Sequence, residues 1–449
     1  MKRNKYVIIV IALLLSHCKK SDQHGPGDNY CTAGQSVLTI NDDKVPSALR
    51  AKLFSPGNLI HVNHPDYNKS GKVVIIPFST TDYPVNTSLT QQVIRDEFFT
   101  SGVGSAKDFF YENSWGQFKL MEAQISDVAV LPKAFTDYKL TESDPYFMTD
   151  ACTYSSINWP ALDVNNDHKI TPDEVQVVFI KSGGGLGATR PPQNVFTLKD
   201  PAYKNLPNFI TLNYAFGTQY RIYNNFVIID CKTESDPTKA VNTLDYNSST
   251  LWHEMSHALF NLPDRYTSFC GTGNTGQFDL MSDNCSRKHL NIYDKMCIGW
   301  IKPKITYSNS TGTEPSGVNV QGGTCLSLPA IESQPVALIR WIGNSPDEFW
   351  IIENKNKKSS ARNFEDGLPD EGLAIWWVNT ANGEIHLIDA NNAGPTPDTF
   401  KDQGTGALFK YPGQPVQTLY QALLVNKKGG AAFGIKSISP AGNVITFSF

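Results

Sequence analysis

Residues 248–264 read Ser-Ser-Thr-Leu-Trp-His-Glu-Met-Ser-His-Ala-Leu-Phe-Asn-Leu-Pro-Asp. His253 and His257 are four apart, a spacing that on a helix stacks them on one face, one turn apart. Two neutral imidazoles placed this way can share one Zn²⁺, with Glu254 beside them to take a proton from water. The helix is expected on separate grounds. Leu251, Met255, Ala258 and Leu259 recur at helical spacing and define a core face, with the histidines displaced from it. Ser248, Ser249 or Thr250 can cap its start.

Such a site needs a third protein ligand. Residues 258–300 contain no Glu, so the nearby candidates are Asp264, Asp279, Asp283, His289 and Asp294. Pro263 cannot continue a helix, and a turn there would let Asp264 swing back towards the histidines.

The stretch resembles the M6 peptidases, the immune inhibitor A family of bacterial metalloproteases, whose motif runs H-E-x-x-H-x-x-G-x-P-D. Here the Gly is absent and one extra residue separates His257 from Asp264. Asn261 can take the left-handed role of the Gly, which leaves Phe260 as the insertion. Further blocks resemble the family in order. These are Ser105 to Leu120 with Phe110-Tyr111 and Ser114-Trp-Gly116, Gly276-Gln-Phe-Asp-Leu-Met281-Ser, and Tyr293-Asp-Lys-Met-Cys-Ile-Gly-Trp300. The late runs Glu348–Asn354 and Gly372–Val378 follow, with Trp377 where relatives often have His.

The resemblance covers about residues 70–449. It implies an α+β fold: a metzincin-like zincin catalytic domain with β-rich C-terminal segments. It implies a catalytic Zn²⁺ on His253, His257 and Asp264, with His289 as the fallback third ligand. Glu254 would be the general base, and Met281 the Met-turn residue beneath the metal. The substrates would be proteins or peptides, cleaved internally. The rival is a non-catalytic M6-like adhesin or other binding lipoprotein. The intact His253, Glu254 and His257 argue against it, while the missing Gly and the shifted Asp264 favour it.

A second metal-type pattern lies upstream. In residues 163–174 oxygen ligands fall at loop positions 1 (Asp163), 3 (Asn165), 5 (Asp167), 9 (Thr171) and 12 (Glu174). The Lys169 carbonyl is at position 7, as in a calcium loop. His168 stands where Gly normally makes the sharp turn. M6 relatives carry a similar acidic loop. A structural Ca²⁺ is expected, pinning the loop ahead of a strand at 174–181.

The rest of the chain frames these motifs. Among 449 residues, 40% are hydrophobic and 18% charged, enough apolar side chain for a sizeable core and too little charge for a disordered chain. The net charge of −4 carries no basic excess, so no nucleic-acid partner is expected. Lys2 to Lys5 followed by ten apolar residues, Tyr6 to Leu15, reads as an export signal too short to span a bilayer. Cys18 just beyond it resembles a bacterial lipoprotein acylation site, although His17 departs from the small residue usual there. The protein is therefore expected outside the cytosol, lipid-anchored or secreted, touching membrane only through that anchor, and monomeric.

Beyond Cys18 seven cysteines remain, so at least one thiol stays free, and Cys270 with Cys285 is the favoured pair. The expected organisation is a signal at 1–18, a tether or N-terminal segment at 19–70, the catalytic domain at 71–301 and a β-rich part at 302–449. Strands are expected at 71–79 and 174–181, a helix at 105–114 capped by Ser105, and a strand from Trp115 to Leu120. Further strands are expected at 335–342, 348–353, 372–378 and 385–388, with a hairpin over 433–449.

Overall fold

The computed structural model describes residues 69–388, less several internal segments (the longest 182–195, 231–247 and 308–325), and residues 437–438 and 443–448. The expected signal, Cys18, the tether up to residue 68 and the Cys270–Cys285 pair lie outside the described residues. Cys152 and Cys297 are free thiols.

The first half is built on the apolar run near residue 70. Strand β1 (Ser70–Ser79) is flanked in parallel by β2 (Lys119–Ile125) and β3 (Gln176–Lys181), and β3 by β4 (Val227–Asp230). A short antiparallel strand, Phe196–Thr197, closes the edge beyond β4. Parallel sheets of this kind are covered on both faces, so their strands read as unbroken apolar runs. Val73, Val74, Ile75 and Ile76 are accordingly all buried. Alternate residues serve different cores. Val73, Ile75, Val178 and Ile180 pack with helices α1 (Gln91–Phe98), α2 (Ala106–Asn113) and α4 (Ser248–Phe260). Val74, Ile76, Val177 and Phe179 pack with α3 (Tyr146–Tyr154) and with a small sheet of Lys169–Ile170, Phe209–Asn213 and Gln219–Tyr223.

The second half is β-rich, as expected. Strands β5 (Lys304–Tyr307), β6 (Leu338–Trp341), β7 (Glu348–Lys355), β8 (Gly372–Asn379) and β9 (Glu384–Leu387) form one sheet in chain order. Its inner face packs on Phe278 and on helix α5 (Ile292–Ile298), through Ile292, Tyr293 and Met296. Ser437–Ile438 and Val444–Ser448 pair antiparallel, consistent with the expected hairpin; Leu326–Pro329 adds to its other side. The chain is thus α+β. Among the described residues no helix is long and apolar enough to cross a membrane.

Three local expectations need correction. Strand β2 starts at Lys119, not Trp115. Trp115 (φ 51°) and Gly116 (φ 79°) turn in the left-handed region, and the Trp115 indole donates to the Ile331 carbonyl at 2.7 Å. A Cβ at position 116 would lie 3.0 Å from the Tyr111 ring. Helix α4 already begins at Ser248, so Ser248, Ser249 and Thr250 occupy its first turn, and residue 247 before them is outside the described set. Finally, α4 is not amphipathic in the expected sense. Leu251, Met255 and Ala258 are buried, but so are His253 and Ser256.

Candidate metal centre

Helix α4 is held by aromatic packing. Trp252 stacks on Phe109 of α2 with centroids 4.3 Å apart, and Phe260 meets Phe110, Phe118 and Trp300 edge-on. Phe260, the extra residue relative to the M6 motif, is therefore the last helical residue and a core anchor. The helix stops at Asn261, whose φ of 56° is left-handed and whose N–H donates to the His257 carbonyl at 2.9 Å. Asn tolerates this conformation better than most residues, so it ends the helix as Gly would. The chain turns three residues before Asp264, ahead of Pro263.

Each histidine is fixed through its Nδ1. His253 Nδ1 donates to the Leu280 carbonyl at 3.0 Å, and His257 Nδ1 donates to the Leu262 carbonyl at 2.5 Å. A backbone carbonyl can only accept, so this pairing places the neutral ring's proton on Nδ1 and leaves a lone pair on Nε2. The two Nε2 atoms lie 3.0 Å apart, and Asp264 Oδ1 lies 3.0 Å from one and 3.1 Å from the other. Glu254 Oε1 is 4.0 Å from His253 Nε2, and ligand atoms of His253, Glu254 and His257 fall within 4.8 Å of one another.

Three acceptors thus face one another with no hydrogen between them, unless a cation sits at their centre. Neutral histidines and two carboxylates carry a charge of −2, matched by a divalent ion. Tetrahedral Zn²⁺ with bonds of roughly 2.0–2.1 Å sets its ligands about 3.3 Å apart, close to the separations seen. The donor set therefore fits zinc. Without metal, a proton is the available cation. Burial opposes charge on His257, but the Asp264 hydrogen bond and the Glu254 and Asp264 carboxylates outweigh it and raise its pKa to about 9. In that protonated, metal-free state burial likewise opposes ionisation of Asp264, but hydrogen bonding to the His253 and His257 rings holds its carboxyl well below the usual range.

The rival third ligands are engaged elsewhere. Asp279 accepts from Thr275 and Asn291, Asp283 pairs with Lys288, and Asp294 pairs with Arg265. His289, the fallback, has Nε2 3.1 Å from Glu112 and Nδ1 3.2 Å from Glu365. Glu365 also binds Lys355 at 3.2 Å, and Lys295 lies 3.5 Å from His289. This buried ionic network joins α2, α5 and the C-terminal sheet. Met281 is buried in the same core as Leu251, Met255 and Ala258. The neighbouring Leu280 carbonyl holds His253, and the Met281 carbonyl accepts from Arg265 N–H at 2.8 Å.

The 163–174 loop is built differently. His168 takes φ 59°, the left-handed value that Gly supplies at this loop position. Asp163 accepts from the N–H groups of Asp167 (3.1 Å) and His168 (2.9 Å). Asn165 accepts from Asp167, Asp167 from Lys169, and Glu174 from Val164 and Thr171. Among the described residues, no cluster of His, Cys, Asp or Glu comparable to the α4 group forms here.

No family model matches the chain, and no curated protein matches it.

Proposed function

We propose that the protein is an exported zinc endopeptidase of the metzincin-like, M6-type zincin class. The observation that carries this reading is the triangle of His253 Nε2, His257 Nε2 and Asp264 Oδ1, three lone pairs converging within 3.1 Å. Zinc supplies Lewis acidity at such a site, lowering the pKa of water and polarising a carbonyl. His253, His257 and Asp264 would hold the ion. Glu254, buried beside His253, accepts the proton of the attacking water and delivers it to the departing amine. Peptide as the substrate class draws support from the sheet. Phe196–Thr197 is an edge strand beside α4, and among the described residues nothing pairs with its outer side. An extended chain can add to such an edge through main-chain hydrogen bonds.

For residues 163–174 we propose a structural Ca²⁺, held by Asp163, Asn165, Asp167, the Lys169 carbonyl, Thr171 and Glu174. The left-handed His168 supports it, because the turn has the shape that such loops need. The lipoprotein or secreted location rests on the sequence around Cys18.

The test is metal analysis and casein cleavage with the mature chain. One zinc per chain is expected, and Glu254→Gln should keep the zinc while losing about 10²–10⁴-fold in cleavage rate. A chain that takes up no zinc at neutral pH sinks the enzyme reading in favour of a binding lipoprotein. Zinc uptake with hydrolysis of esters or small amides but not peptides would assign a different hydrolase.

A further inference from the structure

Asp264 is the least secured of the three proposed ligands. Its side chain is 39% exposed, it belongs to no helix or strand, and its carboxylate bonds are to the two histidines. The adjoining residue is the opposite. Arg265 is 6% exposed in its side chain, and its backbone N–H donates to the Met281 carbonyl. Its guanidinium donates to Asp294 Oδ1 at 2.6 Å and to the Gly383 carbonyl, in the β8–β9 turn, at 2.9 Å.

These bonds close a ring. Asp294 Oδ2 accepts from Asn291 Nδ2 at 2.6 Å, and Asn291 also donates to Asp279 through its N–H and its Nδ2. Asp279 Oδ1 then accepts from Met281 N–H at 3.1 Å, and the Met281 carbonyl returns to Arg265. Leu280, whose carbonyl orients His253, sits inside the ring. One polar circuit therefore holds the peptide next to Asp264 and the carbonyl that aims His253.

We propose that Arg265 is a positioning residue for the metal, fixing Asp264 by tying its peptide to α5 and to the C-terminal sheet. The inference rests on the zinc reading above. If Arg265 only neutralised Asp279 and Asp294, its loss would lower stability and leave the ligand set intact. If it positions Asp264, its loss changes the ligand set itself. Partners one shell out from a metal ligand typically carry about 10–100-fold in affinity.

The experiment uses the full mature chain. Zinc affinity is measured by chelator competition, and the visible spectrum is read after replacement of zinc by Co²⁺, for wild type, R265A, R265K, D294N and D264A. R265A should bind zinc about 10–100-fold more weakly, with a cobalt spectrum shifted towards that of D264A. R265K, whose single ammonium cannot serve both Asp294 and Gly383, should fall between. Removing the guanidinium leaves the buried Asp294 carboxylate without its ion-pair partner. If R265A does not fold, R265K and D294N carry the test, read beside their metal-free melting temperatures. Wild-type affinity and an unshifted cobalt spectrum in folded variants overturn the proposal and leave the zinc reading standing. A wild type that binds neither metal overturns the zinc reading first and this proposal with it.

Discussion

The end of α4 and the 163–174 loop both gather oxygen or nitrogen ligands, but their lone pairs are satisfied in opposite ways. In the loop the side chains of Asp163, Asn165, Asp167 and Glu174 accept from backbone N–H groups of the loop itself. At α4 the backbone takes up only the Nδ1 side of each histidine, and the remaining acceptors confront one another. The loop is a self-capped turn to which the proposed cation would add. The α4 centre is an arrangement that the proposed cation would complete. Ligand identity alone, which is all that a motif records, does not separate the two cases; the location of the donors does.

The largest expected effect lies on the α4 side. His257→Ala should abolish stoichiometric zinc and cut proteolysis more than about 10³-fold, with the fold retained by circular dichroism. Asp163→Ala in the loop should leave zinc and most activity in place. Equal losses from both substitutions would break the contrast.

Next comes pH. The folded pKa of His257 is raised, from 6.5 to about 9, so the metal-free centre holds an extra proton between those values. That proton stabilises the metal-free fold fully below about 6.5, and the benefit is lost as pH rises through 9. Zinc must displace it, so apparent zinc affinity should fall about tenfold per pH unit below 9. Calorimetry in buffers of different ionisation enthalpy should register about one proton released per zinc at pH 7. A pH-independent affinity between 7 and 8.5 would contradict the arrangement.

Calcium should do less. Because the loop is already internally bonded, saturating Ca²⁺ should raise the melting temperature by roughly 2–5 °C, and EGTA should not unfold the chain. Zinc chelation should not imitate that shift.

The smallest effect is expected at His168. A left-handed non-glycine residue costs about 1–2 kcal/mol, partly returned here by the edge-on contact with Tyr220 at 5.1 Å. His168→Gly should therefore raise the melting temperature by about 1–2 °C and tighten calcium binding. A drop would show that the ring contact outweighs the strain.

What could be read from the sequence was local chemistry. The apolar run of β1, the Ser105 cap whose hydroxyl accepts from Asp108 N–H, and Asn261 as a stand-in for Gly each depend on neighbours a few residues away. What engages His289, the fallback ligand, is not local. It turns on Glu112, 177 residues before His289, and on Glu365 beyond it. The burial of α4 on more than one side is likewise not local, since part of its cover comes from Leu280, Met281 and Leu290 on a later segment. Arg265 carried no signal at all, because its partners are a carboxylate 29 residues on and a backbone carbonyl 118 residues on. The late start of β2 likewise depends on a carbonyl at Ile331.

The Glu112–His289–Glu365–Lys355 network bears on how such a chain comes into being. A polypeptide leaves the ribosome, and any export channel, N-terminus first. Lys295, buried beside His289, is therefore made before Glu332, Glu353 and Glu365, the carboxylates that face it. Shutting ionised groups away with no counterpart is strongly unfavourable. The nascent protein thus cannot bury a charged Lys295 until those residues have arrived, and a chain cut at residue 301 would leave it without them.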